Sequence, residues 1–223
     1  MNTLPDKTYV PALRYHWLTW FYDPIIALTV REKRFRQQLI KQSQLHHVQQ
    51  VLDIGCGTGT LAIWIKKQHP QIAVYGLDGD KTILSIAAQK AERADVSINL
   101  ETGMSYSIPQ PDNSFDRVVS TLFFHHLTYE QKEKTFSEIL RVIKPGGELH
   151  IADWGKPSNP LMRLLFYQIQ LLDGFTTTRD NADGLLPLMI RNSGFHHVEH
   201  CQDLKTVFGT LAFIRACKEQ VGE

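Results

Sequence analysis

The sequence predicts an α/β protein whose mostly parallel sheet carries helices on both faces. Three observations lead there: strand-like and helix-like segments alternate from residue 50 onward, a three-glycine turn joins the first strand to the helix after it, and an acid closes the second strand. Ligands of such a sheet gather at the carboxyl ends of its strands. With 223 residues and 43% hydrophobic content, the chain can fill one core, so a single domain over 1–223 is expected.

The elements follow in order. Residues 11–21 form an aromatic segment too apolar for a solvated tail. Asp23-Pro24 then reads as an N-cap with proline at the first helical position, opening a helix to about residue 43. Within it, the basic stretch 31–36 reads as a solvated face. A first strand spans 51–54, a helix 61–69 stops at Pro70, and a second strand spans 72–77. A helix over 81–93, strands over 96–100 and 114–121, and a helix over 130–142 come next. The turn 145–147 leads into a fifth strand at 148–152. Beyond it the pattern gives an apolar helix over 161–172, a polar loop over 173–183, a short helix over 185–192, and two antiparallel strands around 198 and 207–216.

Composition excludes several functions. A formal charge of +1 and a pI near 7.8 give no bulk attraction to nucleic acid or anionic membrane. Cys56, Cys201 and Cys217 are too few and scattered for a disulfide framework. His196, His197, His200 and Cys201 enter a strand, where positions 196 and 200 share a face too far apart for chelation, so no metal is expected. No signal sequence or bilayer-length apolar run is visible, and a cytoplasmic location is expected.

Chemistry concentrates at Val51-Leu-Asp-Ile-Gly-Cys-Gly-Thr-Gly-Thr60. Gly55, Gly57 and Gly59 let a ligand approach the main chain where a Cβ would block it. The spacing is G-x-G-x-G, with Thr60 where a dinucleotide fingerprint has its third glycine, which argues against a nicotinamide oxidoreductase. Asp53 would repel a pyrophosphate but suits a cationic group such as an amino-acid ammonium. Some twenty residues on, Asp78 can hydrogen-bond two neighbouring ribose hydroxyls.

These segments resemble the class I S-adenosylmethionine-dependent methyltransferases, in particular the menaquinone/ubiquinone-biosynthesis methylases. The resemblance runs over about residues 48–153 and also rests on Gly76-Leu-Asp78, the stretch 108–119, His125-His-Leu127 and the stretch 139–149. It implies a Rossmann-like seven-stranded sheet in the order 3-2-1-4-5-7-6 with strand seven antiparallel. It also implies a helical cap over 1–45, a cofactor-binding core over 46–153, and substrate-side helices with terminal strands over 154–223. S-adenosyl-L-methionine is the implied cofactor and S-adenosyl-L-homocysteine the product. Asp53 and the loop Gly55, Cys56, Gly57, Thr58 and Gly59 would hold the methionine part. Asp78 with Gly79 would hold the ribose, and Met104, Ser105 and Thr121 would complete the cofactor set. Where the family commonly has an aspartate before the Leu-Pro turn, this chain has Met104, which can pack on adenine but accepts no strong hydrogen bond. Adenine recognition then falls to backbone or Ser105.

The expected reaction is in-line displacement of the methyl onto a small lipophilic or aromatic acceptor such as a quinol-like ring. His125 and His126 follow the fourth strand where acceptor meets cofactor, and His125 is the favoured base; Asp153, ending the fifth strand, is a second candidate. Tyr9, Tyr15, Trp17 and Tyr22 would form an aromatic lid, with Phe166 on the opposite wall. The alternative is a cofactor-binding regulatory protein that transfers no methyl group.

Overall fold

The computed structural model describes residues 32–220. Its strands are β1 (Gln50–Ile54), β2 (Ala73–Asp78), β3 (Asn99–Thr102), β4 (Phe115–Thr121), β5 (Ile143–Trp154), β6 (His196–Thr206) and β7 (Gly209–Cys217). The helices are α1 (Glu32–Gln42), α2 (Thr60–Gln68), α3 (Lys81–Arg93), α4 (Tyr129–Val142), α5 (Pro160–Asp173), α6 (Phe175–Ala182) and α7 (Leu186–Asn192), with a 3₁₀ turn at Phe124–His126. The strands form one sheet in the order β3-β2-β1-β4-β5-β7-β6. The first five pair in parallel, and β7 runs antiparallel to β5 and β6.

Alternation along the strands divides the core between the two faces. Val51 of β1 packs with Phe35 and Leu39 of α1, Leu61 and Ile65 of α2, and Trp154 and Phe166. Leu52 and Ile54 point the other way, onto Phe136 and Ile139 of α4 and Met189 and Ile190 of α7.

Three segments depart from the pattern reading. The stretch expected as a polar loop over 173–183 contains α6. Its sequence Phe-Thr-Thr-Thr-Arg-Asp-Asn-Ala has weak helical propensity, but tertiary contacts bind it: the buried Lys132 Nζ donates to the Thr177 carbonyl at 2.7 Å, and Asn181 Nδ2 donates to the Trp154 carbonyl at 2.9 Å. The expected turn at 145–147 is drawn into β5, because the Gly146 N–H bonds Lys218 O and the Lys218 N–H bonds Gly147 O. The third strand starts later than expected since the Val96 N–H still bonds Ala91 O at the end of α3. Among the described residues no helix is long and apolar enough to cross a membrane.

Candidate active site

A cleft opens at the carboxyl ends of β1, β2 and β4. Gly55, Asp78, Gly79, Met104, Ser105 and His126 line it from the expected set, joined by Phe123, Thr128, Gln131 and Thr177 among others. Gly55, Gly57 and Gly59 all have positive φ, at 66°, 52° and 72°. At Gly55 a Cβ would stand 2.2 Å from Phe123 Cδ2, so the missing side chain is what lets the 3₁₀ segment close over the turn.

The turn's amides have partners within the chain. Leu77 O accepts from the N–H groups of Gly55 and Cys56, Cys56 O accepts from Gly59, and the Asp78 carboxylate accepts from Gly57 at 2.9 Å. A ligand here meets the turn as open backbone surface. Thr58 and Thr60 both accept from Lys90 Nζ, and the buried Cys56 thiol is raised well above its ordinary pKa by burial and by Asp53 and Asp78. Asp78 also accepts the Asp80 N–H at 3.0 Å, and burial raises its pKa. Each of its oxygens retains a lone pair for a hydroxyl donor.

Asp53 is 1% exposed, and neither carboxylate oxygen has a hydrogen-bond partner of good geometry. Burial pushes its pKa from 3.8 up to about 7, against the pull of the Arg36 guanidinium and the Ala62 N–H. Being two residues from Val51, it projects toward the α1 face and not into the cleft. Arg36 is also inside: its Nε donates to Glu32 and its Nη1 to the Thr121 hydroxyl, both at 2.8 Å. The expected solvated face therefore turns its last residue inward. Thr121 holds Arg36 and does not line the cleft.

The histidines occupy different positions. His125 is 2% exposed, with Nδ1 2.6 Å from Asp153 Oδ1. Asp153 also accepts from the N–H groups of Phe123, Phe124 and Trp154. A carboxylate with four donors is engaged as the anchor of His125. Burial disfavours the His125 imidazolium, but Asp153, by charge and hydrogen bond, and Asp173 outweigh it and raise the pKa. His126 faces the cleft. Burial, reinforced by His125 and Lys132, holds it well below its ordinary pKa, so it is neutral near pH 7. His126 lines the cleft, and His125, the base favoured from sequence, stands behind it.

Met104 lies at the cleft as expected. The Ser105 hydroxyl is paired with Thr135 Oγ1 at 2.8 Å in the core. Phe166 is wholly buried against Trp154 and packs over Gly209 as core. Tyr9, Tyr15, Trp17 and Tyr22 lie outside the described residues. His200 pairs with Asp203 at 2.8 Å on the exposed edge strand. Gln131, Thr128 and Asp173 were not anticipated at the site; the Thr128-x-x-Gln131 capping box was visible as a helix signal, though not as a cleft wall.

Residues 51–147 match the family described as methyltransferase domain. A demethylmenaquinone methyltransferase of Deinococcus radiodurans is 31% identical over 142 residues, covering 64% of this chain and 58% of that protein. A ubiquinone/menaquinone biosynthesis C-methyltransferase of Blochmanniella floridana is 29% identical over 166 residues, covering 72% and 64%. The matches thus span less than two thirds of these relatives' length. Among solved structures, the S-adenosylmethionine-dependent methyltransferase SibL in its apo form superposes with a TM-score of 0.71 at 18% identity, over 90% of this chain and 58% of that one. An S-adenosylmethionine-dependent methyltransferase from Aquifex aeolicus gives 0.66 at 21% identity, over 89% and 96%. At these identities the structural likeness is one of fold. The glycine turn, Asp78 and the His125-His126 turn all fall within residues 51–147, the stretch of this chain that is similar to the methyltransferase domain family.

Proposed function

We propose that this protein transfers the methyl group of S-adenosylmethionine to a small lipophilic or aromatic acceptor, of which a quinol-like ring is the leading class. One observation carries the reading: the cleft has at one end an acid suited to ribose and a glycine turn open to a ligand, and at the other a neutral imidazole. The residues fit the cofactor. Asp53 has two buried, unpartnered carboxylate oxygens that an ammonium would satisfy, and Asp78 keeps acceptor capacity for hydroxyls. The methionyl end would cross the top of β1 toward Asp53 and Arg36, and Met104 would pack on the adenine. The adenine amino group would fall to main-chain carbonyls or to the Ser105 hydroxyl, which already shares one hydrogen bond with Thr135.

When bound, S-adenosylmethionine supplies a methyl already activated on a sulfonium. The chain's task is then alignment, water exclusion and proton handling. Holding acceptor and methyl in line is worth roughly 7–11 kcal/mol in favourable intramolecular cases. Phe123 and Leu127 give the cleft an apolar wall. His126 can take the proton of an acceptor hydroxyl at its neutral ring. His125 and Asp153 act as positioning residues, fixing the turn that presents His126.

The relatives named for quinone biosynthesis favour a quinol-like acceptor without fixing it. Calorimetry with S-adenosylmethionine, followed by transfer of a labelled methyl to a panel of hydroquinones, tests the reading. Binding and transfer support it and exclude a cofactor-binding regulator; no heat up to about millimolar cofactor ends it.

A further inference from the structure

We propose that His125 Nε2, His126 Nδ1 and the Asp173 carboxylate form a binding site for one divalent transition-metal ion at the acceptor end of the cleft. The three residues come from two elements, the 3₁₀ turn after β4 and the last residue of α5, and their ligand atoms all lie within 4.8 Å of one another. Asp173 Oδ2 stands 3.5 Å from His125 Nε2, and Oδ1 stands 3.9 Å from His126 Nδ1. Both separations are too long for hydrogen bonds. Both suit two ligands of one ion, since atoms bound about 2.1 Å from a zinc-class centre lie at most about 4.2 Å apart. Drawing atoms that lie within 4.8 Å of one another to the spacing of about 3.4 Å in a tetrahedral site takes movements of up to about 1.4 Å, and the His126 ring borders the open cleft.

The surroundings favour an ion over a simple charge pair. His125 Nδ1 lies 2.6 Å from Asp153 Oδ1, which leaves Nε2 as the ring nitrogen that faces Asp173 and that an ion would take in place of a proton. A carboxylate behind an imidazole in this way is the usual support of a metal-bound histidine. The buried Asp153 and the partly exposed Asp173 meet two imidazoles here, while the neighbouring cation Lys132 is engaged by Asp180 at 3.0 Å and by the Thr177 carbonyl. Two imidazoles and one carboxylate select zinc, manganese, iron or cobalt over magnesium or calcium. This set is separate from the His196–Cys201 stretch, whose His200 is taken up by Asp203.

The ion's role rests on the methyltransferase reading. With the ion bound, His126 is a ligand and no longer the base: an acceptor hydroxyl on the ion would lose its proton to solvent and remain as the oxyanion. The electron pair on that oxygen forms the new bond to the methyl carbon; where the ortho carbon attacks instead, the ring proton it carried leaves to solvent and its bonding pair restores the aromatic ring. The carbon–sulfur bond breaks, its pair goes to sulfur, and the sulfonium charge is cancelled.

The test is titration of the untagged, chelator-treated full chain with Co²⁺ alone, read by visible absorption and proton NMR. One ion per chain is expected, with hyperfine-shifted imidazole N–H signals from two histidines. Asp173→Asn and His126→Gln should each weaken binding roughly tenfold or more, while His200→Gln should leave it unchanged. Absence of the shifted signals in the unsubstituted chain, or affinity unaltered in both variants, overturns the site. The NMR reading needs no variant and so stands even where one fails to fold. Calorimetry with S-adenosylmethionine on the same sample separates the two ideas. Cofactor binding without Co²⁺ binding removes the metal site and leaves the methyltransferase, and the converse leaves the site while removing its assigned role.

Discussion

Asp78 at the end of β2 accepts the Gly57 N–H at 2.9 Å, so the acid that faces the cleft also closes the glycine turn beside it. One carboxylate therefore ties the shape of the turn to the site proposed for the ribose. A change there should be felt both by the free protein and by the ligand.

Asp78→Ala removes the acceptor for Gly57 and Asp80 together and deletes the two hydroxyl acceptors. Cofactor affinity is expected to fall at least about tenfold, or roughly 1.4 kcal/mol, with melting lowered by a few degrees. Calorimetry and thermal denaturation check both parts. Unchanged affinity would place the ribose elsewhere.

Asp53 gives a pH dependence whose sign can be worked out. Its folded-state pKa of about 7 lies above the ordinary 3.8, so this group favours the folded state fully below about 3.8 and loses that contribution as pH rises through 7. Asp53→Asn removes the loss. The variant should gain melting temperature relative to the unsubstituted chain between pH 5 and pH 8. If Asp53 receives an ammonium, cofactor affinity should rise through pH 7 in the unsubstituted chain and stay flat in the variant. A rise in both would assign the titration to another group.

The sheet order and the turn at 55–59 were legible because local signals and the family resemblance agreed on them. Asp53 and Asp78 stand out in the sequence because each is an acid near the end of an otherwise apolar strand run, and the structure brings only Asp78 to the cleft lining. What escaped depends on tertiary packing. Arg36 sits in a basic run that reads as solvated, and only the hydroxyl of Thr121, 85 positions away, shows why it points inward. Phe166 shares an aromatic-rich helix with the half-exposed Tyr167, and helical spacing alone does not say which ring meets Trp154. Which of His125 and His126 borders the cleft does not follow from the sequence, because adjacent residues on a tight turn face different ways, and the turn's orientation is set by Asp153 from another strand. Helix α6 was hidden because the amine that holds it belongs to α4.

Gly55→Ala introduces a Cβ 2.2 Å from the Phe123 ring at a φ of 66°. Strain and overlap together should cost about 2–4 kcal/mol in urea unfolding. Adding Phe123→Ala should relieve the overlap but not the φ strain, so the double variant should be less unstable than the sum of the single changes. Additive losses would mean that the two residues do not press on each other.

Lys132→Met tests what holds α6 in place. The buried Nζ contacts the Thr177 carbonyl at 2.7 Å and Asp180 at 3.0 Å, and burial pulls its pKa down while Asp180 supports the charge. A methionine of similar length leaves Asp180 without its cation and one carbonyl without its donor. Breaking such a pair from one side typically costs about 3–5 kcal/mol, much of it from the carboxylate left behind. The loss should be local first, since α6 has little intrinsic helicity. Amide exchange over 174–183 should therefore accelerate under conditions where the strands stay protected. Lys132→Met combined with Asp180→Asn should recover part of the stability by removing the orphaned charge. If exchange over α6 is unchanged in the single variant, the helix is held by Asn181 and its apolar contacts, and Thr177 reaches the cleft without help from α4.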